Sequence, residues 1–202
     1  MTQLILTRHG ETDWNVAQRF QGQSDVPLNA RGRQQAKQLA ARLSNEDLNA
    51  IYASDLSRAW ETAKAIAAQH DCPLIAEPRL REGDFGEWEG CTFPELEKTD
   101  PELVKAWMED IGHFTPPGGE TLHEVAARIA AAYADIAQKH TQDETTLIVA
   151  HGGSLQMLIR HLLELPVDKF WQFHLSHCSI SKIAVYPEGA IINLFNDTCH
   201  LS

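Results

Sequence analysis

The sequence has too little positive charge for a protein that binds polyanions. Lysine and arginine together number 17, against 28 aspartate and glutamate residues, and the formal net charge is −11. Nucleic acids and anionic membranes attract proteins through a positive surface field, so the composition argues against both as partners. Any anion that this chain binds must be held by a local cluster of positive groups.

Cysteine and long apolar runs are also scarce. The four cysteines are scattered without a CxxC pair, so neither a zinc cage nor a disulfide framework is indicated. No apolar run approaches the length of a membrane span. Arg8, His9 and Glu11 follow the first few apolar residues too soon for a signal peptide, and we therefore expect a cytoplasmic protein.

The chain has the composition of an ordinary globular domain. Its 202 residues are 43% hydrophobic and 22% charged, enough to bury a substantial core in a single domain spanning residues 1–202. The segment from about 83 to 119 differs, because glycines and prolines enclose short helical stretches in it. It is typical of a lid-like insertion rather than a linker.

Short apolar runs alternate with helical patterns along the chain, which predicts an α/β sandwich with a largely parallel sheet. Asn29 is a plausible N-cap for the first long helix, and Ser54 or Asp55 for the next, whose first turn contains Arg58. A long helix is predicted from about Thr121 to Lys139. The predicted strands are residues 3–7, 50–53, 74–76, 145–150, 178–186 and 190–195.

Histidines follow two of these strands directly. Arg8-His9-Gly10 ends the first strand, and His151-Gly152-Gly153 ends the strand 145–150. Ligands of open α/β sheets bind outside the carboxyl ends of the strands, and Arg58 could reach the same crevice. Because guanidinium groups bind phosphate oxygens in a bidentate fork, the joint pattern predicts a pocket for a dianion such as phosphate.

Each of these residues alone has a plainer interpretation. A histidine at a strand end can simply bond a loop carbonyl, Arg58 could be a solvated helix residue, and Arg8 a surface charge. No HExxH pair or compact ligand cluster indicates a metal, and His174 and His177 in "HLSHCS" are weak metal candidates. The sequence "HGGSL" is not the GxSxG elbow of a serine hydrolase.

A series of motifs extends the pattern over most of the chain. "LTRHGETDWN" is followed by "FQG", "PLNARGRQQA", "YASDLSRAWETA", "LREGDFGEWEG", "PGGET" and "VAHGG". In this order they closely resemble the histidine phosphatase superfamily, the phosphoglycerate mutase-like proteins. The resemblance implies a three-layer α/β/α sandwich around a mixed, mainly parallel sheet.

The resemblance also implies roles for named residues. His9 would be the nucleophile that becomes transiently phosphorylated, and Arg8, Arg58 and His151 would hold the phosphoryl oxygens. Glu82 would protonate the leaving oxygen, although from the residues alone nearby carboxylates would be rivals: Asp84, Glu87 and Glu89. Neither a metal nor a cofactor is expected. Further substrate contacts are expected from Asn15, Gln21, Gly22 and Gly152.

Three functions are compatible with these features. A metal-independent phosphomonoesterase acting on a small phosphorylated metabolite is favoured, because the 83–119 segment has only Lys98, Lys105 and His113 as potential cations. A mutase handling a carboxylate-bearing bisphosphate would need more positive partners. A phospho-ligand-binding module without catalysis is the third, and the retention of His9 and Glu82 weighs against it.

The leaving group and the oligomeric state stay open. "GDFGEWEG" and "LFNDTCHL" resemble the branch of α-ribazole-5′-phosphate phosphatases of cobalamin assembly and broad-specificity phosphatases. The aromatic residues of the 83–119 segment could stack on a base or form the lid's own core. An exposed edge strand near 190–196 leaves a homodimer open. The aromatic residues concerned are Phe85, Trp88, Trp107 and Phe114.

Overall fold

The computed structural model describes residues 1–140 and 143–201, without the side chains of Phe170 and Trp171. Thr141, Gln142 and Ser202, which the predicted domain includes, lie outside the described residues. Within them the chain forms one sheet of six strands. These are β1 (Thr2–Arg8), β2 (Ala50–Ala53), β3 (Leu74–Ala76), β4 (Thr145–Ala150), β5 (Ile180–Tyr186) and β6 (Gly189–Asp197).

The sheet is mixed and mainly parallel, as predicted. Its strand order is β3-β2-β4-β1-β5-β6, with parallel pairing from β3 through β1 and antiparallel pairing of β5 with β1 and β6. The predicted start of the fifth strand at residue 178 is wrong. Cys178 has a φ of 53° and its N–H donates to the carbonyl of Arg8, so the backbone turns there and β5 starts at Ile180.

Helices lie on both faces of the sheet. The α-helices are α1 (Asp13–Val16), α2 (Ala30–Leu43), α3 (Ser57–Ala67), α4 (Phe93–Thr99), α5 (Pro101–Glu109), α6 (Leu122–Lys139) and α7 (Gly152–Leu162), and the 3-10 helices are Pro78–Leu80, Gly86–Trp88, Val167–Gln172 and Cys199–Leu201. Among the described residues, no helix combines the length and apolarity that a membrane crossing requires.

Of the N-caps predicted for α2 and α3, the first is confirmed and the second is wrong. Asn29 caps α2 and accepts from the N–H of Gly32, which confirms that prediction. The cap predicted for α3 is wrong, since Leu56 occupies the N-cap position without a side-chain bond. Ser54 and Asp55 are not available as caps, because their side chains bond His151 and Arg81 instead.

Two apolar layers enclose the sheet, because successive side chains of a strand point to opposite faces. Leu4 and Leu6 of β1 pack with α6 and α7. Ile5, between them in the chain, packs with α2 and α3 on the other side. The three-layer α/β/α sandwich is therefore confirmed.

The segment 83–119 forms a third, smaller cluster. Trp88 and Trp107 are only 2% and 6% exposed, and the ring of Trp88 stacks on Phe114 with 5.4 Å between centroids. Phe20, from outside the segment, packs against the same cluster. Of the two roles left open for these aromatic residues, the structure supports a core of the segment itself.

The N-terminus of α2 touches the loop that follows β1, and two glycines permit the contact. A Cβ atom on Gly32 would overlap the carbonyl oxygen of Glu11, and one on Gly10 would overlap that of Gly32. Backbone atoms cannot move aside as a flexible side chain can. The position of His9, beside Gly10, thus depends on close backbone packing.

We predict that Gly32→Ala destabilises the fold, although alanine favours helices. Overpacking against backbone should lower the free energy of unfolding by about 1–3 kcal/mol. Gly112→Ala is the control, because its nearest neighbour at 3.3 Å is the ring tip of His123. Urea unfolding of the three proteins gives the comparison, and equal stability of both variants would contradict the prediction.

Candidate active site

His9 lies at the carboxyl end of the sheet, directly after β1, and is 3% exposed. Its Nδ1 is 2.7 Å from the carbonyl oxygen of Gly10. A carbonyl only accepts hydrogen bonds, so Nδ1 carries the proton and Nε2 keeps its lone pair. Thr62 of α3 fixes the same loop, since its hydroxyl accepts from the N–H of Gly10 at 3.1 Å.

Backbone carbonyls hold two arginines beside His9, the partly buried Arg8 and the fully buried Arg58. Nη1 of Arg8 donates to the carbonyl of Leu175 at 2.9 Å. Arg58 in the first turn of α3 donates to the carbonyls of Ser24 and Gly22 at 2.8 and 2.7 Å. These bonds fix both guanidinium planes and leave the Nε atoms of both arginines for another acceptor.

His151 lies opposite His9, with 5.1 Å between ring centroids. It is fully buried, and its Nε2 is 2.8 Å from the hydroxyl of Ser54, which follows β2. The hydroxyl also lies 3.4 Å from the N–H of Leu56. When Ser54 accepts from that N–H and donates to Nε2, the remaining ring atom Nδ1 of His151 carries the proton.

Several buried nitrogen atoms around His9 have no hydrogen-bond partner in the protein. Buried polar groups nearly always have one, and an acceptor-rich anion would satisfy several at once. Donors of this kind, converging on one nucleophilic nitrogen, suit the oxygens of a phosphoryl group. The atoms are Arg8 Nε, Arg58 Nε, His151 Nδ1 and His177 Nε2.

The electrostatics of the site keep its histidines neutral. Burial first, and then the electrostatic influence of His151, Arg58 and Arg8, holds the pKa of His9 well below its ordinary value. Burial and the arginines have the same effect on the pKa of His151. Burial lowers the pKa of Arg58 to about 10, so this side chain stays positive at neutral pH.

Glu82 lies at the N-terminus of α7, beside these groups. Its two carboxylate oxygens accept from the N–H groups of Gly153 and Ser154 at 2.9 and 3.0 Å. Helix N-termini favour negative charge. The three carboxylates that the sequence left as alternatives to Glu82 lie elsewhere. Asp84 accepts from the backbone N–H of Gly86, and Glu89 accepts from the backbone N–H groups of Gln23, Ser24 and Phe85. Glu87 is exposed.

The other predicted substrate contacts lie in two places, residues 15–22 and the start of α7. Asn15 closes the capping box of α1 with Thr12, and Gln21 lies 2.9 Å from the Thr12 hydroxyl through its Oε1. Gly22 supplies one carbonyl to Arg58. Gly152 begins α7, where a Cβ would be 3.6 Å from the guanidinium of Arg8.

The sequence did not predict that His177, Ser54 and Thr62 belong to this site. His177 stands 5.8 Å from His9 between ring centroids, and burial lowers its pKa to about 3. Ser54 could have been found, because it follows a strand at the same sheet edge as His9 and His151. The sequence indicates Thr62 more weakly, because it lies one helical turn after Arg58 and therefore on the same face of the helix.

No metal-ligand cluster is found in the part of the chain that the structure describes: no three His, Cys, Asp or Glu side chains are placed to hold an ion. His174 and His177, the weak metal candidates, differ in setting. His174 is exposed, whereas His177 faces His9.

Comparison with known proteins agrees with the geometry. Residues 4–198 match the profile of the histidine phosphatase superfamily (branch 1). The resemblance seen in the motifs is confirmed over nearly the whole chain.

Three similar proteins carry three different activities in their names. Phosphoserine phosphatase 1 of Hydrogenobacter thermophilus is 36% identical over all of this chain and 95% of its own. The probable phosphoglycerate mutase GpmB of an Enterobacter species is 39% identical with the same coverage. The structure of a putative alpha-ribazole-5′-P phosphatase from Escherichia coli is 30% identical over 97% of this chain and 96% of its own, with a TM-score of 0.90. The chain therefore belongs to the histidine phosphatase superfamily and is a phosphoric monoester hydrolase.

Proposed function

We propose that the chain hydrolyses the phosphate monoester of a small metabolite through a phosphohistidine at His9, without a metal or cofactor. One observation carries this proposal: buried Nε atoms of Arg8 and Arg58 and Nδ1 of His151 surround His9 without partners in the protein. Such donors stabilise the charge on the equatorial oxygens as the phosphoryl group is transferred.

In the first step the lone pair on Nε2 of His9 attacks phosphorus. The P–N bond forms as the bond to the leaving oxygen breaks, and protonated Glu82 gives that oxygen its proton. The carbonyl of Gly10 retains the proton on Nδ1. The three donors hold the transferring group, with Asn15, Gln21, Gly22 and Gly152 as its further contacts.

In the second step Glu82, now a carboxylate, takes a proton from water. The resulting hydroxide attacks phosphorus, the P–N bond breaks, and inorganic phosphate leaves with His9 neutral again. Covalent catalysis accelerates the reaction because it replaces one difficult displacement with two easier ones. Glu82 thus acts as acid and then as base.

The leaving group is small and mostly polar in this proposal. Binding of an aromatic base such as that of α-ribazole 5′-phosphate is favoured by stacking on an accessible aromatic side chain. Trp88 and Trp107 are instead buried in the 83–119 cluster. That burial favours phosphoserine-like compounds over α-ribazole phosphate, whose link to cobalamin assembly stays a prediction. A cytoplasmic location and a homodimer also stay predictions.

A mutase is the second candidate, because one relative is named as a probable phosphoglycerate mutase. Both reactions share the phosphohistidine half-reaction and differ in whether water or a second hydroxyl accepts the group. Isotopically labelled 3-phosphoglycerate separates them. A mutase would form labelled 2-phosphoglycerate faster than free phosphate, and a phosphatase would not.

The function is tested on the purified protein with EDTA present. We expect hydrolysis of p-nitrophenyl phosphate, and a kcat/KM for phosphoserine above that for α-ribazole 5′-phosphate, with sugar phosphates and nucleotides completing the panel. Reversal of that order would reject the proposed leaving-group class. A protein that hydrolyses none of these compounds would reject the phosphatase itself.

Replacing the nucleophile should abolish turnover. We predict that His9→Ala lowers kcat by at least about a thousandfold, as loss of a nucleophile does elsewhere. Rapid quenching with radiolabelled substrate should trap an acid-labile phosphoryl group on wild type and none on the variant. His174→Ala, an exposed histidine outside the site, should match wild type; comparable activity in His9→Ala would refute the mechanism.

His9 should remain uncharged in weakly acidic solution. Its lowered pKa means that protonation occurs only below the roughly pH 6.5 at which a free histidine titrates. Long-range proton–nitrogen NMR between pH 7.5 and 5.5 should show a neutral ring protonated at Nδ1, identified by its loss in His9→Asn. A titration centred near pH 6.5 would contradict both the burial argument and the tautomer.

A further inference from the structure

The loop that carries Glu82 lacks regular structure of its own. The loop consists of residues 81–84, which belong to no helix or strand. It follows the 3-10 helix Pro78–Leu80 and continues into the 83–119 segment. The side chain of Glu82 is bound at the N-terminus of α7. Its backbone must be held by something else if the carboxyl group is to meet a leaving oxygen reproducibly.

Arg128, on α6, holds that backbone. Its Nη1 donates to the carbonyls of Arg79 and Arg81 at 2.8 and 2.7 Å. Its Nη2 donates to the carbonyl of Glu82 itself at 2.7 Å. One guanidinium group thus fixes three carbonyls within four consecutive residues.

Glu120, in the loop just before α6, completes the arrangement. Its carboxylate forms a two-bond pair with Arg128, Nε to Oε1 and Nη2 to Oε2, both at 2.8 Å. It also accepts from the N–H of Asp84 at 3.0 Å, so the pair binds the chain on both sides of Glu82. The side chains of Arg128 and Glu120 are 18% and 24% exposed.

The hydrogen-bond count explains why an arginine is needed. A guanidinium has five N–H donors in a fixed plane, and Arg128 uses all five: one at Nε, two at Nη1 and two at Nη2. Lysine offers three donors from a single point and lacks the planar fork. It cannot hold three carbonyls and a carboxylate together.

We propose that Arg128 and Glu120 are positioning residues that set Glu82 for proton transfer to the leaving group. This inference rests on the proposed function, in which Glu82 is the acid. The phosphoryl-binding groups Arg8, Arg58 and His151 have other supports, in strand ends and loop carbonyls. Glu120 reaches the loop that holds Arg58 through a long contact of 3.4 Å from Nε2 of Gln23, so loosening the Arg128–Glu120 pair should mainly impair leaving-group protonation and change phosphate binding little.

The test is the dependence of rate on the leaving group. p-Nitrophenolate leaves without much help from an acid, whereas an alkoxide such as that of phosphoserine needs its proton. For Arg128→Met and Glu120→Gln we expect kcat/KM to fall at least tenfold on phosphoserine and less than threefold on p-nitrophenyl phosphate. The inhibition constant of inorganic phosphate should change less than twofold. Arg128→Lys should behave as Arg128→Met.

Arg79→Met is the matched control. This arginine lies in the 3-10 helix Pro78–Leu80, just before the Glu82 loop, and pairs with the carboxylates of Glu77 and Asp135. Among the described residues, the side-chain hydrogen bonds of Arg79 go to Glu77 and Asp135 and not to the Glu82 backbone. The control should change both substrates by the same factor, and circular dichroism establishes that each variant is folded.

The outcomes separate the two proposals. If wild type hydrolyses neither substrate, the proposed function fails. If wild type is active but the Arg128 and Glu120 variants lose the same factor on both substrates, or bind phosphate more weakly, the positioning role is wrong. Should Arg128→Met fail to fold, Glu120→Gln decides by the same comparison, since it keeps the size of the side chain but removes the charge and replaces one of the two acceptor oxygens with an NH2 donor, which breaks the two-bond pair with Arg128.

Discussion

The site depends on backbone carbonyl oxygens that hold the guanidinium groups of two arginines, one buried and one partly buried, at the carboxyl edge of the sheet. Arg8 is held by Leu175, and Arg58 by Gly22 and Ser24. A buried charge is costly unless it is hydrogen-bonded. Carbonyls satisfy part of that need without neutralising the charge, as a carboxylate in direct contact would. The remaining positive potential is what a chain of net charge −11 requires to attract a dianion.

The burial of His9 sets the state of this proposed nucleophile. A histidine beside two arginines is neutral because protonation would add a third positive charge in a poorly solvated place. The neutral ring can attack phosphorus, and the carbonyl of Gly10 decides which nitrogen does so. Ser54 plays the corresponding part for His151. Charge and tautomer are thus both consequences of how the loops after β1, β2 and β4 pack together.

The sequence was sufficient for those parts of the site that follow from strand ends. Apolar runs located all six strands, and the rule that ligands bind beyond their carboxyl ends brought His9 and His151 together. Residues that act through distant contacts were out of reach. Arg128 is 46 positions from the Glu82 carbonyl that it binds, and no local pattern encodes that pairing. The α3 cap failed for the same reason, since Ser54 bonds a histidine 97 positions away.

The site therefore has two parts with different supports. The part proposed to bind the phosphoryl group is built from strand ends and the helices that cover the sheet, whereas Glu82 lies on a loop held by Arg128 of α6 and by Glu120 just before it. The Arg128–Glu120 pair holds the backbone on both sides of Glu82, whereas the bonds that hold Arg8, Arg58 and His151 come from other residues. Relatives of this chain are named for different substrates, and a site whose two parts have separate supports allows the leaving-group side to differ while the chemistry proposed for His9 stays the same.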